Sequence, residues 1–293
     1  MGKYNEWTAG QHEALINILG EENALALLRG EKKVTFEEAT PLFFDRKGRA
    51  IPRNLTNNVC DPNTGFHLVQ PKLDYGARLA RIGECLQTGP MISAAEFEDR
   101  CQKLLGRLGK DELCGNIVKA VYLPICIPQT VVTDYGTSLE TFLAGVDRSY
   151  TQEFPDRTFN NYRKNDPAKK VSIISGSRHA ALVGKLAEGP VVGVYFPNPM
   201  QGFSVLAQRE QIGTMPLEFM LAGGFDTVTG MTAYPDVLAR DWNTPGLDLA
   251  ALQWRSAEFS LDFWASDVRL DFDRRSYLAY ADDRDSGGLF VLG

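Results

Sequence analysis

Two short segments near the C-terminus alternate strictly between apolar and polar residues, and this alternation constrains the fold more than any other feature. The segments are residues 260–263 (Ser-Leu-Asp-Phe) and 268–273 (Val-Arg-Leu-Asp-Phe-Asp), and Ser266-Asp267 can turn between them. A period of two places successive side chains on opposite faces of a β-strand. We therefore predict an antiparallel strand pair whose apolar side chains support it from one side: Leu261, Phe263, Val268, Leu270 and Phe272.

The opposite faces of this pair carry an unusual mixture of side chains: Ser260, Asp262, Trp264, Arg269, Asp271 and Asp273. Rigid aromatics, arginine and short polar groups are the residue types that binding surfaces use most. The same pattern also fits a half-buried sheet with an ordinary polar outer face. Both interpretations remain open at this point.

The charge of the chain is concentrated in the same region. Of the formal net charge of −6, residues 241–293 contribute −5, because nine Asp and one Glu stand there against five Arg and no Lys. This balance argues against nucleic acid as the main partner. It favours a neutral or cationic ligand for a surface built from these residues.

The sequence does not indicate insertion into a membrane or export by the usual route. The apolar stretches are shorter than the roughly 18 residues that cross a bilayer, and residues 1–7 lack the apolar core of a signal peptide. The compartment is left open, with a virion or a cell surface reached by a non-classical route as one option.

Recognisable catalytic chemistry is sparse. The five cysteines form no C-x-x-C pair, and we predict reduced, mostly buried thiols. Ser177 and His179 are too close in sequence to present nucleophile–base geometry, and Cys60 with His67 or His179 lacks a known nucleophile turn. Phosphate-loop, dinucleotide and H-E-x-x-H motifs do not occur. We therefore expect no enzyme activity, no cofactor and no bound metal.

Local signals predict helices and strands elsewhere in the chain. Helices are expected over residues 8–20 and 22–28 as a hairpin, after the capping box that begins at Ser93, over 138–146, and over 225–238 as far as Pro235. Strands are expected over 171–174, 191–196 and, more weakly, 203–206. Short strands and long loops are expected over 34–76, short extended pieces over 118–132, and a solvated basic loop over 151–170.

Three C-terminal features resemble a known family. Residues 248–256 (Asp-Leu-Ala-Ala-Leu-Gln-Trp-Arg-Ser), the aromatic, Asp, Ser and Arg tract that follows, and the ending at 286–293 (Ser-Gly-Gly-Leu-Phe-Val-Leu-Gly) are similar to the variable proteins of diversity-generating retroelements, most closely to the archaeal branch. The resemblance covers the final fifty residues well, the preceding hundred loosely, and residues 1–80 not at all.

This resemblance implies an α+β fold with two parts. An N-terminal helical or mixed region would cover residues 1–80, and a C-type lectin-like ligand-binding domain would cover 81–293. Within the second part, a retroelement would rewrite codons in a variable region at about 254–285, and an apolar last strand over 289–292 would close the scaffold.

The resemblance also implies which side chains bind the ligand, with Trp264 and Tyr277 as anchors. The partner would be a protein or another cell-surface molecule. The apolar alternates Leu261, Phe263, Leu270 and Phe272 would be invariant support. The expected ligand-binding positions are Ala257, Glu258, Asp262, Trp264, Asp267, Arg269, Asp271, Asp273, Arg274, Arg275, Ser276, Tyr277, Asp282, Arg284 and Asp285.

The sequence also bears on calcium binding and on two alternative functions. Lectin-type calcium sites usually contain Trp-Asn-Asp, whereas Thr244 follows Trp242-Asn243 here, which removes an expected carboxylate ligand. A structural or assembly protein of a virus or cell surface could use the same face against a sister subunit. A relative of formylglycine-generating enzymes would need a late cysteine pair or metal site, and no cysteine follows Cys126.

Overall fold

The computed structural model describes residues 9–34, 42–89 and 91–293, and it divides the chain into two compact units, Met1–Pro41 and Leu42–Gly293. The predicted boundary at residue 80 stays a prediction. Residues ahead of that boundary, Phe44 and Leu68 among them, are buried in the core of the larger unit.

The first unit contains the two helices that its sequence predicts. Helix α1 spans Ala9–Leu19 and helix α2 spans Glu21–Leu28. Gly20 separates them with a φ of +77°, a left-handed conformation that glycine adopts at little cost. The predicted cap at Thr8 lies outside the described residues.

The larger unit contains seven α-helices and a short 3₁₀ helix among its described residues. Their bounds are α3 Tyr75–Leu86, α4 Ala94–Leu108, the 3₁₀ helix Gly115–Lys119, α5 Tyr135–Glu153, α6 His179–Glu188, α7 Val205–Thr214, α8 Gly224–Ala233 and α9 Pro235–Leu238. The capping box is confirmed, because the Ser93 side chain accepts a hydrogen bond from the Glu96 amide (3.1 Å) and α4 follows.

Three local predictions are wrong or too short. Residues 203–206 do not form a strand, because Ser204 caps α7 by accepting from the Ala207 amide and the helix begins at Val205. Helix α5 begins before residue 138, since Asp134 is its N-cap. The expected loop 151–170 starts with the end of α5 and contains a strand, β2 (Thr158–Asn161).

The strands form one eight-stranded mixed sheet and one two-stranded sheet. Their bounds are β1 Leu123–Ile127, β2 Thr158–Asn161, β3 Val171–Ile173, β4 Val191–Gln201, β5 Phe219–Leu221, β6 Gly246–Asp248, β7 Leu252–Trp254, β8 Ser260–Ala265, β9 Arg269–Arg275 and β10 Asp285–Leu292. The order in the large sheet is β1-β4-β10-β6-β8-β9-β2, with β5 also paired to β10, while β3 pairs with β7.

The last strand is central to the large sheet and buried on both faces. It runs antiparallel to β4 on one side, and on the other it pairs with β6 in parallel and with β5 antiparallel. Phe290 packs into one hydrophobic cluster, and its neighbours Leu289 and Val291 pack into a second. A continuous apolar run is what a strand covered on both faces requires.

The predicted strand pair is confirmed as β8 and β9. They pair antiparallel with Phe263 opposite Phe272, and the Ser266 amide donates to the Arg269 carbonyl across the turn. Four of the five predicted supports are buried, but Val268 is 64% exposed because it lies in the turn, before β9 begins.

The architecture is therefore α+β, with helices and a mixed sheet sharing two main hydrophobic clusters. None of the described helices combines the length and apolar character that crossing a bilayer demands.

Candidate recognition surface

The fifteen predicted ligand-binding positions are distributed over three levels of burial. Two are buried: Asp262 and Asp285. Six are half-buried: Trp264, Asp271, Asp273, Arg275, Ser276 and Asp282. Seven are exposed: Ala257, Glu258, Asp267, Arg269, Arg274, Tyr277 and Arg284. Whether the exposed positions bind a ligand stays a prediction.

Five of the seven exposed positions lie where the chain leaves the strands, while Arg269 and Arg274 lie in β9, at its first residue and next to its last. Residues 255–259 connect β7 to β8, residues 266–268 connect β8 to β9, and residues 276–284 lead into β10. Tyr277 is the most exposed of these aromatic side chains (85%) and has a φ of +58°. Loops fixed at both ends by buried strands are the usual location of binding residues.

Beneath this surface, one guanidinium lies among three carboxylates. Arg275 Nε is 3.5 Å from Asp248 Oδ1, and Arg275 Nη1 is 3.7 Å from Asp262 Oδ2 and forms a close ion pair with Asp285. Gln208, on α7, donates a 2.8 Å hydrogen bond to the other oxygen of Asp248. We call Arg275, Asp248, Asp262 and Asp285 the buried ionic cluster.

Burial is the largest single influence on the pKa values of the residues in this cluster. Desolvation and the charge of Asp248 raise the pKa of Asp262 to about 7 and that of Asp285 to about 8, against the opposing pull of Arg275. Desolvation also raises the pKa of Asp248. The three carboxylates together raise the pKa of Arg275, so the arginine stays charged.

The buried ionic cluster corrects part of the sequence interpretation. Asp262, Asp285 and Arg275 were expected to face solvent, but Asp262 and Asp285 are at most 8% exposed and the Arg275 side chain is 12% exposed. The alternation in β8 assigned Asp262 to the polar face correctly. On that face Asp262 is flanked by Asp248 of the neighbouring strand β6 and by Arg275 of β9, and α7 contributes Gln208 to the same cluster.

Trp264 joins the buried ionic cluster to the outer surface. Its indole Nε1 donates to Asp262 Oδ2 (3.2 Å), and the Arg284 guanidinium lies 5.5 Å from its ring. The same guanidinium lies 5.9 Å from Phe66, which packs edge-on against Trp242 (5.8 Å between ring centroids). Half of Trp242 is exposed (54%).

Sequence reasoning missed Phe66 and Trp242 as members of this surface. They come from two other loops, and no local pattern links them to β8. Arg284 is held in place by two 3.0 Å hydrogen bonds from its guanidinium to Asp282. Trp264, Trp242, Phe66 and Arg284 thus form an aromatic platform with one fixed cation.

Several acidic residues of the tail pair with neighbouring side chains, and the expected preference for neutral or cationic ligands stays a prediction. Asp271 accepts from Asn160 and from Arg269, both at 2.9 Å. Asp273 pairs with Arg163 at 2.8 Å. With three further aspartates in the buried ionic cluster, the net charge of the tail does not describe the charge that a ligand meets.

A single arginine fixes the base of the first exposed loop. Arg209, on α7, donates to the backbone carbonyls of Ala250, Leu252 and Ala257 at 3.0, 2.7 and 3.1 Å. Desolvation lowers its pKa to about 10, which still leaves it charged at neutral pH. These contacts hold backbone atoms only and are independent of the side chains displayed at 257 and 258.

Ser177 and His179 do not form a nucleophile–base pair. The Ser177 hydroxyl donates to the Ile174 carbonyl (2.7 Å), whereas His179 Nε2 is 2.7 Å from the Tyr135 hydroxyl and its Nδ1 is 4.0 Å from Asp226 Oδ2. His179 is fully buried, and desolvation lowers its pKa, so the ring is neutral. This network joins α5, α6 and α8 within the core.

The Cys60 thiol is not activated either. It donates weakly to the Gly202 carbonyl (3.4 Å), and burial together with Asp283, Asp282 and Asp61 raises its pKa, which is opposite to what a thiolate nucleophile needs. All five cysteines are free thiols, as predicted, and four of them are buried.

The described residues show no group of three His, Cys, Asp or Glu side chains arranged to hold a metal ion. In the buried ionic cluster, the Arg275 guanidinium supplies the positive charge among the carboxylates. Comparison of this chain with protein-family models, with curated proteins and with solved structures finds no match.

Proposed function

We propose that this protein recognises a ligand through a diversified C-terminal surface carried on a C-type lectin-like scaffold. One observation carries the proposal. Inward side chains of β8 and β9 (Leu261, Phe263, Leu270 and Phe272) are at most 1% exposed, whereas seven of the fifteen predicted ligand-binding positions around them are exposed. Such a surface can change its side chains without changing the packing that supports it.

The chain path around the predicted variable region supports the same proposal. This region, residues 254–285, begins at the end of β7 and ends at the start of β10. Strand β7 is held by Arg209 and by its pairing with β3, and β10 lies in the centre of the large sheet. Both ends are buried strands. Loops anchored this way tolerate variation at their tips, because the backbone hydrogen bonds that define the ends lie elsewhere.

The composition of the exposed positions suits a protein or another cell-surface molecule as the ligand. Tyr277, the aromatic platform and Arg269 offer large contact areas and forked donors, the groups that dominate the energetics of protein interfaces. Structural assembly through the same face would present these groups to a second copy of the chain.

Diversification is tested by sequencing the coding region in many individuals of the source population. We expect amino-acid changes at the seven exposed positions and none at the four buried supports. A nearby reverse-transcriptase gene with a near-copy of the DNA for residues 254–293, differing at adenines, would accompany them. A region with uniform sequence and no such copy would refute diversification.

A separate test, by yeast display, asks whether the scaffold folds independently of the side chains that it exposes. One library randomises Ala257, Glu258, Arg269, Arg274 and Tyr277, and a matched library randomises the four buried supports. We expect the first library to keep display levels and to yield clones that bind a probe protein such as lysozyme, while the second loses display. Equal loss of display in both libraries would show that the exposed side chains are structural.

A further inference from the structure

Three cationic side chains converge on the buried indole of Trp254. The guanidinium carbons of Arg163 and Arg255 lie 5.8 and 6.0 Å from the ring centroid, and the Lys170 ammonium lies 6.0 Å from it. The indole itself is 1% exposed. We call Arg163, Lys170, Arg255 and Trp254 the Trp254 cluster. The basic segment that the sequence presented as a solvated loop therefore supplies two cations to one point of the surface.

The carboxylates near the Trp254 cluster neutralise it only in part. Asp166 forms a close ion pair with Lys170 and lies 4.0 Å from the Arg255 guanidinium, while Asp273 pairs with Arg163. Three cations thus face two carboxylates. Arg255 is the least engaged cation, since its side chain is 60% exposed and its ion pair is at the outer limit of such contacts.

The backbone that presents these cations is strained. Arg255 has a φ of +62° and Lys169 a φ of +59°, in the left-handed region that costs a non-glycine residue about 1 kcal/mol. The Arg255 amide donates to the carbonyl of Lys170 (2.6 Å), the residue that follows Lys169. Strained non-glycine residues concentrate at functional sites, where the surrounding structure holds them.

We infer that the Trp254 cluster is a subsite that binds a carboxylate-bearing segment of a protein partner. The inference rests on the proposed function, because Arg255 leads directly into the exposed loop 256–258. The Arg255 fork is exposed and matches a carboxylate, and the Trp254 indole lies buried beneath the three cations, where it senses their displacement. Asp166 and Asp273 would repel a dense polyanion, so a segment with one or two carboxylates fits better than a nucleic acid or a heavily sulfated glycan.

The test uses the full chain labelled with 5-fluorotryptophan, whose four tryptophans give four ¹⁹F resonances. The resonances of Trp7, Trp242 and Trp264 are assigned from the signal that disappears in each single Trp→Phe variant. The remaining resonance then belongs to Trp254. The probe is the peptide acetyl-Gly-Glu-Asp-amide, which carries two carboxylates, with acetyl-Gly-Gln-Asn-amide as its neutral match. We expect the acidic peptide to shift the Trp254 resonance, and the neutral peptide to leave it unchanged.

Two substitutions separate binding from folding. Arg255→Gly removes the charge and relieves the backbone strain, so we expect unchanged or higher thermal stability together with about tenfold weaker peptide binding, the loss of one charge-assisted contact. Arg255→Lys should retain most of the binding. Lys103→Ala, an exposed lysine on α4, is the matched control and should bind as the unsubstituted protein does.

Three outcomes would overturn the inference. They are no response of Trp254 to the acidic peptide, equal peptide affinity in Arg255→Gly, and tighter binding of a heparin disaccharide than of the peptide, which would assign the subsite to a sulfated glycan. None of these outcomes affects the sequencing test of diversification, so failure here is distinguishable from failure of the proposed function.

Discussion

Arg275 is the single residue on which the underside of the candidate surface depends most. It is the guanidinium shared by Asp248, Asp262 and Asp285. Removing one member of a buried ionic group leaves the others uncompensated, which costs about 3–5 kcal/mol. We therefore expect Arg275, which the resemblance places among the ligand-binding positions, to contribute to stability.

Replacing Arg275 with Met should therefore destabilise the protein in a pH-dependent way. We expect a loss of about 3–5 kcal/mol at pH 8 and a smaller loss at pH 5, where Asp262 and Asp285 are protonated and need no counter-charge. Urea unfolding at both pH values measures this. The exposed neighbour is the control, since Arg274→Met should change stability by less than about 0.5 kcal/mol. Equal losses at both pH values would contradict the prediction.

The unsubstituted protein should show the matching pH dependence. The folded-state pKa values of Asp262 (about 7) and Asp285 (about 8) lie above the unfolded value near 3.8. The folded state therefore holds protons that the unfolded state releases, so these two groups lower stability as pH rises from about 4 to about 8. In Asp262→Asn/Asp285→Asn, unfolding free energies measured across this window should decline less steeply with pH. An unchanged slope would show that the carboxylates ionise normally.

At the scale of elements, the features that the sequence predicted well are those with a local physical cause. Alternation gave β8 and β9, and the Ser93 capping box gave α4, since both depend on neighbouring residues. Helix α3 was missed. Strand β2 was missed as well, because it is defined by its pairing with β9, more than a hundred residues later. The buried ionic cluster was missed for the same reason, since β6 brings Asp248 beside Asp262 only in the assembled sheet.

The pairing of β4 with β10 gives a prediction at this scale. A Cβ at Gly193 would lie 2.6 Å from the Val291 carbonyl oxygen and would also clash with the Phe290 ring. Backbone cannot give way as a flexible side chain can, so Gly193→Ala should cost about 1–3 kcal/mol in unfolding free energy. Gly184→Ala, on the exposed side of α6 with open space around it, should instead stabilise by about 0.5–1 kcal/mol. A neutral Gly193→Ala in thermal unfolding would contradict the observed strand spacing.

For the whole molecule, the central question is whether the scaffold is independent of what it displays. The larger unit buries its core on both faces of the sheet, and the loops within residues 255–284 contribute Phe259 and Leu278 to the two clusters. We therefore expect the candidate surface to depend on the fold for its position, and the fold to depend little on the exposed side chains for its stability.

This independence predicts two opposite results for two sets of substitutions. The outer set, Glu258→Ser, Arg269→Ser, Arg274→Ser and Tyr277→Asn in one chain, should change the unfolding free energy by less than about 1 kcal/mol, because exposed substitutions are individually small and asparagine tolerates the left-handed φ at 277. The inner substitutions Leu261→Ala and Phe263→Ala should each cost about 2–5 kcal/mol, since both side chains are buried. Urea unfolding of the three variants compares them directly. If the outer set destabilises as strongly as one inner substitution, the displayed side chains are part of the core and cannot be freely varied.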